Sequence, residues 1–222
     1  MFRASTDKVF RPPFPTEIIL QTVRWYVSYP LSYRMIEELL TERGVPVDHS
    51  TINRWVVGIC TKLEARHRKS KPSVGNSWRM DETYIKVKGQ DHYLYRAVDK
   101  EGNTIDFLLT KKRDTKAAKA FFRKAIRQNG PPGKVAIDKS GANNYALVSI
   151  NTKLKDNDPK IIIYQSNYLN NIVEQDHRFV KRLTRPMMQF KNFKTAKATL
   201  AGIELSHMLR KGQYPDSESI TP

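Results

Sequence analysis

The chain has one cysteine in 222 residues, Cys60. Internal disulfides and cysteine-cluster zinc sites are therefore excluded, and a reducing, cytoplasmic setting is the natural expectation. No apolar run approaches the roughly 18 residues of a membrane-spanning helix. The opening Met1-Phe2-Arg3-Ala4-Ser5 lacks the apolar core of a signal peptide. No membrane partner is expected. Internal repeats and long low-complexity tracts are also missing. Acidic side chains are scarce, with 22 Asp and Glu against 39 Lys and Arg, for a net charge of +17. A chain this basic calls for a polyanion, nucleic acid first and an anionic membrane surface second. Hydrophobic residues at 39% nevertheless suffice for a packed core, so disorder is excluded.

Two zones emerge, and the division expected is 1–65 as a small all-α DNA-binding domain, 66–77 as a basic linker, 78–213 as the main domain and 214–222 as a flexible tail. In the first zone Ile19, Val23 and Val27 recur at helical spacing, and Pro30 ends that helix. Ile36, Leu39 and Leu40 mark a second helix. Ile52, Val56, Cys60 and Leu63 stripe a third, with Asp48 or Ser50 as its N-cap. Three short helices with a Gly44 turn before the last suggest a helix-turn-helix. Its exposed start would present His49, Ser50, Thr51, Asn53 and Arg54 to DNA bases and phosphates.

The second zone reads as strands at Trp78 to Val87, Tyr93 to Val98 and Thr104 to Thr110, with turns at Asp91 and at Glu101-Gly102-Asn103. A helix carrying Ala118, Phe121, Phe122 and Ala125 follows. Then come a short strand from Lys134, a short helix over Ala142 to Ile150, a buried strand at Ile161 to Tyr164, and a helix from Asn171 to Thr184. Three meandering strands followed by alternation give an α/β fold, a mixed sheet flanked by helices. That is the element order of a ribonuclease-H-like fold.

Three carboxylates stand out. Asp81 shares a strand face with Thr83, Ile85 and Val87, a costly position for an acid unless it is paired or metal-bound. Asp138 ends the strand Val135-Ala136-Ile137, where ligands bind at sheet crevices. Glu174 begins a polar helix face continued by Arg178, Lys181 and Arg185, a row suited to DNA phosphates. Carboxylates meeting at a sheet edge suit two-metal phosphoryl transfer with Mg²⁺ or Mn²⁺. From Arg178 to Lys211 there are nine Lys or Arg and one acid, Glu204, which reads as a DNA-holding surface.

Longer segments carry a family resemblance. Met80-Asp81-Glu82-Thr83-Tyr84-Ile85-Lys86-Val87-Lys88-Gly89 and Tyr93-Leu94-Tyr95-Arg96-Ala97-Val98-Asp99 resemble the first catalytic segment of bacterial insertion-sequence transposases of the IS-six family. Tyr168-Leu169-Asn170-Asn171-Ile172-Val173-Glu174-Gln175-Asp176-His177-Arg178 resembles the third. Asp138 and Glu174 are separated by 35 intervening residues, as in the wider Asp-Asp-Glu group, and Lys181 matches that group's basic residue two turns on. Tyr33-Arg34 and His49 to Trp55 resemble the family's helix-turn-helix. Around Asp138 the likeness is looser: the acid is kept and the residues after it vary. The resemblance spans about Pro12 to Gln213. It implies Asp81, Asp138 and Glu174 as catalytic metal ligands, two Mg²⁺ or Mn²⁺ ions, terminal inverted repeats and target DNA as substrates, 3′-end strand transfer, and cointegrate formation. Joining two ends implies at least a homodimer on DNA, in the bacterial nucleoid.

Two other readings compete. Glu174-Gln175-Asp176-His177 and Glu204-Leu205-Ser206-His207 are both Glu-x-x-His, the motif of a di-iron helical bundle, although the strand-rich middle opposes a bundle. His177 could sit near the active site, and His207 reads as a packing or polar residue. A transposase-derived DNA-binding protein without catalytic activity is the other; retention of all three acids and Lys181 disfavours it.

Overall fold

The computed structural model describes residues 14–155, 158–166, 171–188 and 190–214. The first 13 residues, Tyr168-Leu169-Asn170 of the third catalytic segment, and nearly all of the expected tail lie outside them.

Helices α1 (Thr16–Ser28), α2 (Tyr33–Thr41) and α3 (His49–Ser70) open the chain. Two are capped as their sequences dictate. The Ser32 side chain accepts from Met35 N at the start of α2. Asp48 caps α3, accepting from Ser50 N and Thr51 N at 2.9 and 3.0 Å. Helix α3 continues to Ser70, so the first part of the basic 66–77 stretch is helical. The non-helical connection is confined to residues 71–76. Leu63, expected on the apolar stripe, is exposed, because the core that α3 covers ends at Cys60.

Strands β1 (Ser77–Val87), β2 (Gln90–Val98) and β3 (Thr104–Thr110) form an antiparallel meander. The β1–β2 turn is Lys88-Gly89, both at positive φ, as a two-residue hairpin requires. Asp91, expected in that turn, instead lies in β2 opposite Lys86. Helix α4 (Thr115–Asn129), β4 (Lys134–Ile137), α5 (Gly141–Asn151) and β5 (Ile162–Gln165) follow, then α6 (Asn171–Thr184) and α7 (Phe193–Arg210). Strands β4 and β5 run parallel to β1, giving a five-stranded sheet of order β3-β2-β1-β4-β5. This is the expected ribonuclease-H-like mixed sheet. The last strand departs from expectation: Ile161 is buried, but Ile162 and Tyr164 of the edge strand β5 are exposed.

The sheet separates two cores. On one face Trp78, Met80, Tyr95 and Ile105 pack with Phe121, Phe122, Ala146 and Leu147 of α4 and α5. On the other, Ile85, Val87, Leu94, Phe107 and Leu109 join α6, α7 and all three N-terminal helices in one continuous core. The N-terminal helices therefore dock directly on the α/β body. The approach of α7 to α3 is close enough that a Cβ on Gly202 would collide with the Cys60 sulfur and lie 2.9 Å from Val27.

Candidate active site

The period-two alternation of β1 sends Asp81 and Glu82 to opposite faces of the sheet. Asp81 faces α6, with one carboxylate oxygen 3.4 Å from His177 Nδ1. Glu82 faces α5, where its Oε2 accepts from Asn143 Nδ2 at 3.1 Å. Short β4 pairs only with Ser77, Trp78 and Arg79 of β1. That register, ending at Arg79↔Ala136, brings the chain after β4, with Asp138, alongside the stretch of β1 that carries Asp81, whose carboxyl feels the Asp138 charge. Both acids thus stand at the mouth where β4 ends and β1 runs on, a sheet crevice of the kind that binds ligands.

Glu174 enters from the first turn of α6 and is exposed. The buried face of that helix is Val173, Asp176, His177, Val180 and Leu183, so Ile172 and Phe179 lie at its margin rather than at its centre. Asp176 anchors the helix. It accepts from Arg96 Nη2 at 3.1 Å, from His207 Nε2 at 3.0 Å and from Lys211 Nζ at 2.6 Å. Arg96 is wholly buried and also meets Glu204 of α7. Nη2 donates to Oε2 at 2.8 Å, while Nε lies 2.6 Å from Oε1 in an ion-pair contact off the hydrogen-bond direction. Burial opposes charge on Asp176, but the His207 hydrogen bond and the Arg96 and Lys211 charges outweigh it and hold the carboxyl well below the ordinary range. Of the two Glu-x-x-His motifs, Glu204 is taken by the buried Arg96 and His207 by Asp176, whereas Glu174 is exposed and His177 lies against Asp81, so the two motifs do not come together as a di-iron site requires. His207 is the packing and polar residue expected, stacked on Phe179.

Electrostatics join the three expected acids. Burial pushes the Asp81 pKa up to about 6, and the charges of Glu82, Asp138 and Glu174 push the same way. His177 does not relieve this. Burial, with Arg96 and Lys181 nearby, lowers its pKa to about 3, so the ring is neutral at physiological pH. Among the described residues no group of three His, Cys, Asp or Glu is drawn together as a formed metal cage. The donor set still suits a hard divalent cation: oxygen ligands, mutually repelling, with a neutral neighbour.

Asp138 has partners on both oxygens. Oδ1 accepts from Ser140 N at 3.1 Å and Asn143 Nδ2 at 3.2 Å; Oδ2 accepts from Arg113 Nη2 at 3.0 Å. Arg113 Nε also donates to Glu82. Sequence reading missed Glu82, Arg113 and Asn143. One signal was available: Glu82 is in phase with the buried Trp78 and Met80, the same anomaly that marked Asp81. Arg96, in phase with Leu94 and Val98, carried it too.

Of the expected DNA contacts, Arg178 and Lys181 lie exposed along α6 beyond Glu174, and Arg185 is exposed in the 3-10 turn that follows it. Lys181 and Arg185 line a cleft of about 570 Å³ with Tyr84, Lys86 and Met188. At the start of α3, His49 Nδ1 lies 3.1 Å from Glu37. The Ser50 and Thr51 hydroxyls donate to Asp48, and Arg54 donates to Thr51. Asn53 is half-buried. These side chains are exposed or partly so, but several are engaged in the cap.

Residues 75–213 match the family model DDE_Tnp_IS240, described as a DDE domain. The chain belongs to this family of insertion-sequence transposases. It is 43% identical over 201 residues to the transposase for insertion sequence-like element IS431mec of Staphylococcus aureus, covering 89% of this chain and 86% of that one. The transposase for insertion sequence element IS257 in transposon Tn4003, from the same species, matches to the same extent. The HTLV-2 integrase catalytic core domain, solved in complex with magnesium, is 19% identical, with a TM-score of 0.46 over 60% of this chain and 86% of that one. This chain is a DDE transposase by its family match and its identity to the IS431mec transposase. Among its described residues no helix is long and apolar enough to cross a membrane.

Proposed function

We propose that this transposase cleaves the 3′ ends of its element and joins them to target DNA, with Asp81, Asp138 and Glu174 as the catalytic carboxylates. The reading rests on one observation: Asp81 on β1 feels the charges of Asp138, on the loop after β4, and of Glu174 on α6. These carboxylates would hold two Mg²⁺ or Mn²⁺ ions, which when bound supply an activated oxygen nucleophile and stabilise the leaving oxygen.

The chain's own residues do the rest. The β1–β4 register brings the chain that carries Asp138 alongside the stretch of β1 that carries Asp81. The Arg96–Asp176–Glu204 cluster holds α6, which carries Glu174, against the sheet. Arg178, Lys181 and Arg185 extend from Glu174 as a cationic row for backbone phosphates. Residues 1–65 act as the DNA-binding domain for the terminal inverted repeats, with His49, Ser50, Thr51, Asn53 and Arg54 at its leading helix. Residues 78–213 act as the catalytic domain. The working form is at least a homodimer on DNA, within the bacterial nucleoid.

The test is strand transfer of a 3′-end oligonucleotide into plasmid DNA with Mg²⁺ or Mn²⁺, wild type against Glu174→Gln. Metal-dependent joining that disappears in the variant is expected. Joining by Glu174→Gln at the wild-type rate would remove Glu174 from the mechanism. DNA binding without joining by either protein would favour a DNA-binding protein without catalytic activity.

A further inference from the structure

Asp138 reaches the site on a loop, since β4 ends at Ile137 and α5 begins at Gly141. A carboxylate there swings freely unless something fixes its plane, and the structure supplies a frame. Arg113, in the loop between β3 and α4, donates Nε to Glu82 and Nη2 to Asp138 Oδ2. Asn143, from the first turn of α5, bridges the same two acids from the other side, donating Nδ2 to Glu82 Oε2 and Asp138 Oδ1. The frame is anchored in the interior, because the Glu82 side chain is 3% exposed and Asn143 is buried. The planar fork of a guanidinium presents donors at fixed spacing to two separate carboxylates, which a lysine ammonium does not. Burial opposes charge on Arg113, and Glu82 and then Asp138 more than compensate, so it stays cationic.

We propose that Arg113, anchored by Glu82 and aided by Asn143, is the positioning residue for Asp138, orienting that carboxylate toward the cation and the scissile phosphate. The inference rests on the proposed role of Asp138. Partners that orient a ligand from behind are commonly worth about 10- to 100-fold in metal affinity or turnover. Glu82 is thereby distinct in role from its neighbour Asp81: it is buried on the opposite face and acts through Arg113.

The test uses the full chain and Mn²⁺ alone as probe, following free Mn²⁺ by electron paramagnetic resonance, together with strand-transfer rates, end-DNA affinity and melting temperature. Arg113→Lys keeps the charge beside buried Glu82 but loses the fork, so it guards against simple misfolding of Arg113→Gln. Both variants are expected to bind Mn²⁺ about 10-fold more weakly and to join more slowly, with end-DNA affinity unchanged and Arg113→Lys melting near wild type. Asp138→Asn is measured alongside. If it loses Mn²⁺ binding while Arg113→Lys binds and turns over like wild type, the positioning role is refuted and the site assignment stands. If Asp138→Asn itself binds Mn²⁺ and joins normally, the site assignment fails. Tighter Mn²⁺ binding by either Arg113 variant would overturn the proposal by making Arg113 a competitor of the cation.

Discussion

Replacing Asp81 with Asn should make the metal-free protein more stable while abolishing strand transfer. The folded Asp81 pKa is raised from 3.8 to about 6, chiefly by burial and then by Glu82, Asp138 and Glu174. An acid whose folded pKa lies above its unfolded value favours the folded state only while protonated. Below pH of about 4 the group is protonated in both states and has no effect. Between about 4 and 6 the native state binds more protons, so stability falls as pH rises; above about 6 the full penalty applies. A shift of about 2 units at 1.36 kcal/mol each sets that penalty at about 3 kcal/mol. For a chain of this size that is about 6–12 °C in melting temperature. The Asp81 side chain is 21% exposed, so solvent screening removes only part of it. The assay is paired urea melts of wild type and Asp81→Asn in chelator, from pH 4.5 to 7.5. The variant's advantage should grow with pH and level off near neutrality. Adding Mn²⁺ at 100 times its dissociation constant should stabilise wild type by about 2.7 kcal/mol and the variant less. An advantage that is absent at pH 7.5, or equally large at pH 4.5, would refute the repulsive cluster.

Two further outcomes concern the scaffold. Glu204→Ala leaves buried Arg96 with Asp176 as its remaining acid, and breaking such a pair costs about 3–5 kcal/mol; a loss under about 1 kcal/mol in denaturant melts would show the cluster to be dispensable. Gly202→Ala drives a methyl into Cys60 and against Val27 and should cost about 1–3 kcal/mol, partly recovered when Cys60→Ala is combined with it; a double variant no better than the single would place the clash elsewhere.

Much of this architecture was legible because hydrophobic phase is a local property. The meander, the capped α3, and α6 from Asn171 to Thr184 follow from spacing within a dozen residues. Asp81 announced itself as an acid on an apolar face. What escaped depends on contacts between distant segments. Arg113 looks like any loop cation until the fold brings it across to Glu82 and Asp138. The Glu-x-x-His pattern admits a metal reading because sequence cannot show that Arg96, 80 positions before Asp176 and 108 before Glu204, takes both of those acids as partners. The exposed face of β5 was hidden for another reason: Ile161 to Tyr164 is apolar throughout, so its pattern cannot distinguish a covered strand from an edge.

The way the interior acids are compensated argues for where the cation belongs. Glu82 and Asp138 are met by Arg113, Asp176 by Arg96 and Lys211, Glu204 by Arg96, and Asp106 by Lys124. Each of these charges is balanced by a cation of the chain itself, and the buried Asp99 by N–H donors from Gly75, Glu101 and Asn103. Asp81 is balanced differently, since its close partner among the described residues is the His177 ring, held neutral by its own burial and by the cations behind it. Arg96 lies opposite Asp81 across the β1–β2 ladder, yet its described bonds go to Asp176 and Glu204. A chain with a net charge of +17 had cations to spare for Asp81, yet among the described residues no Lys or Arg forms an ion pair with it. An acid kept beside two others, with a neutral neighbour and an internal cation directed elsewhere, is a charge left for a ligand from solution to complete. That arrangement costs folding stability in the free protein and returns it on binding. The same physics therefore predicts both the pH-dependent gain of Asp81→Asn and the loss of its response to Mn²⁺.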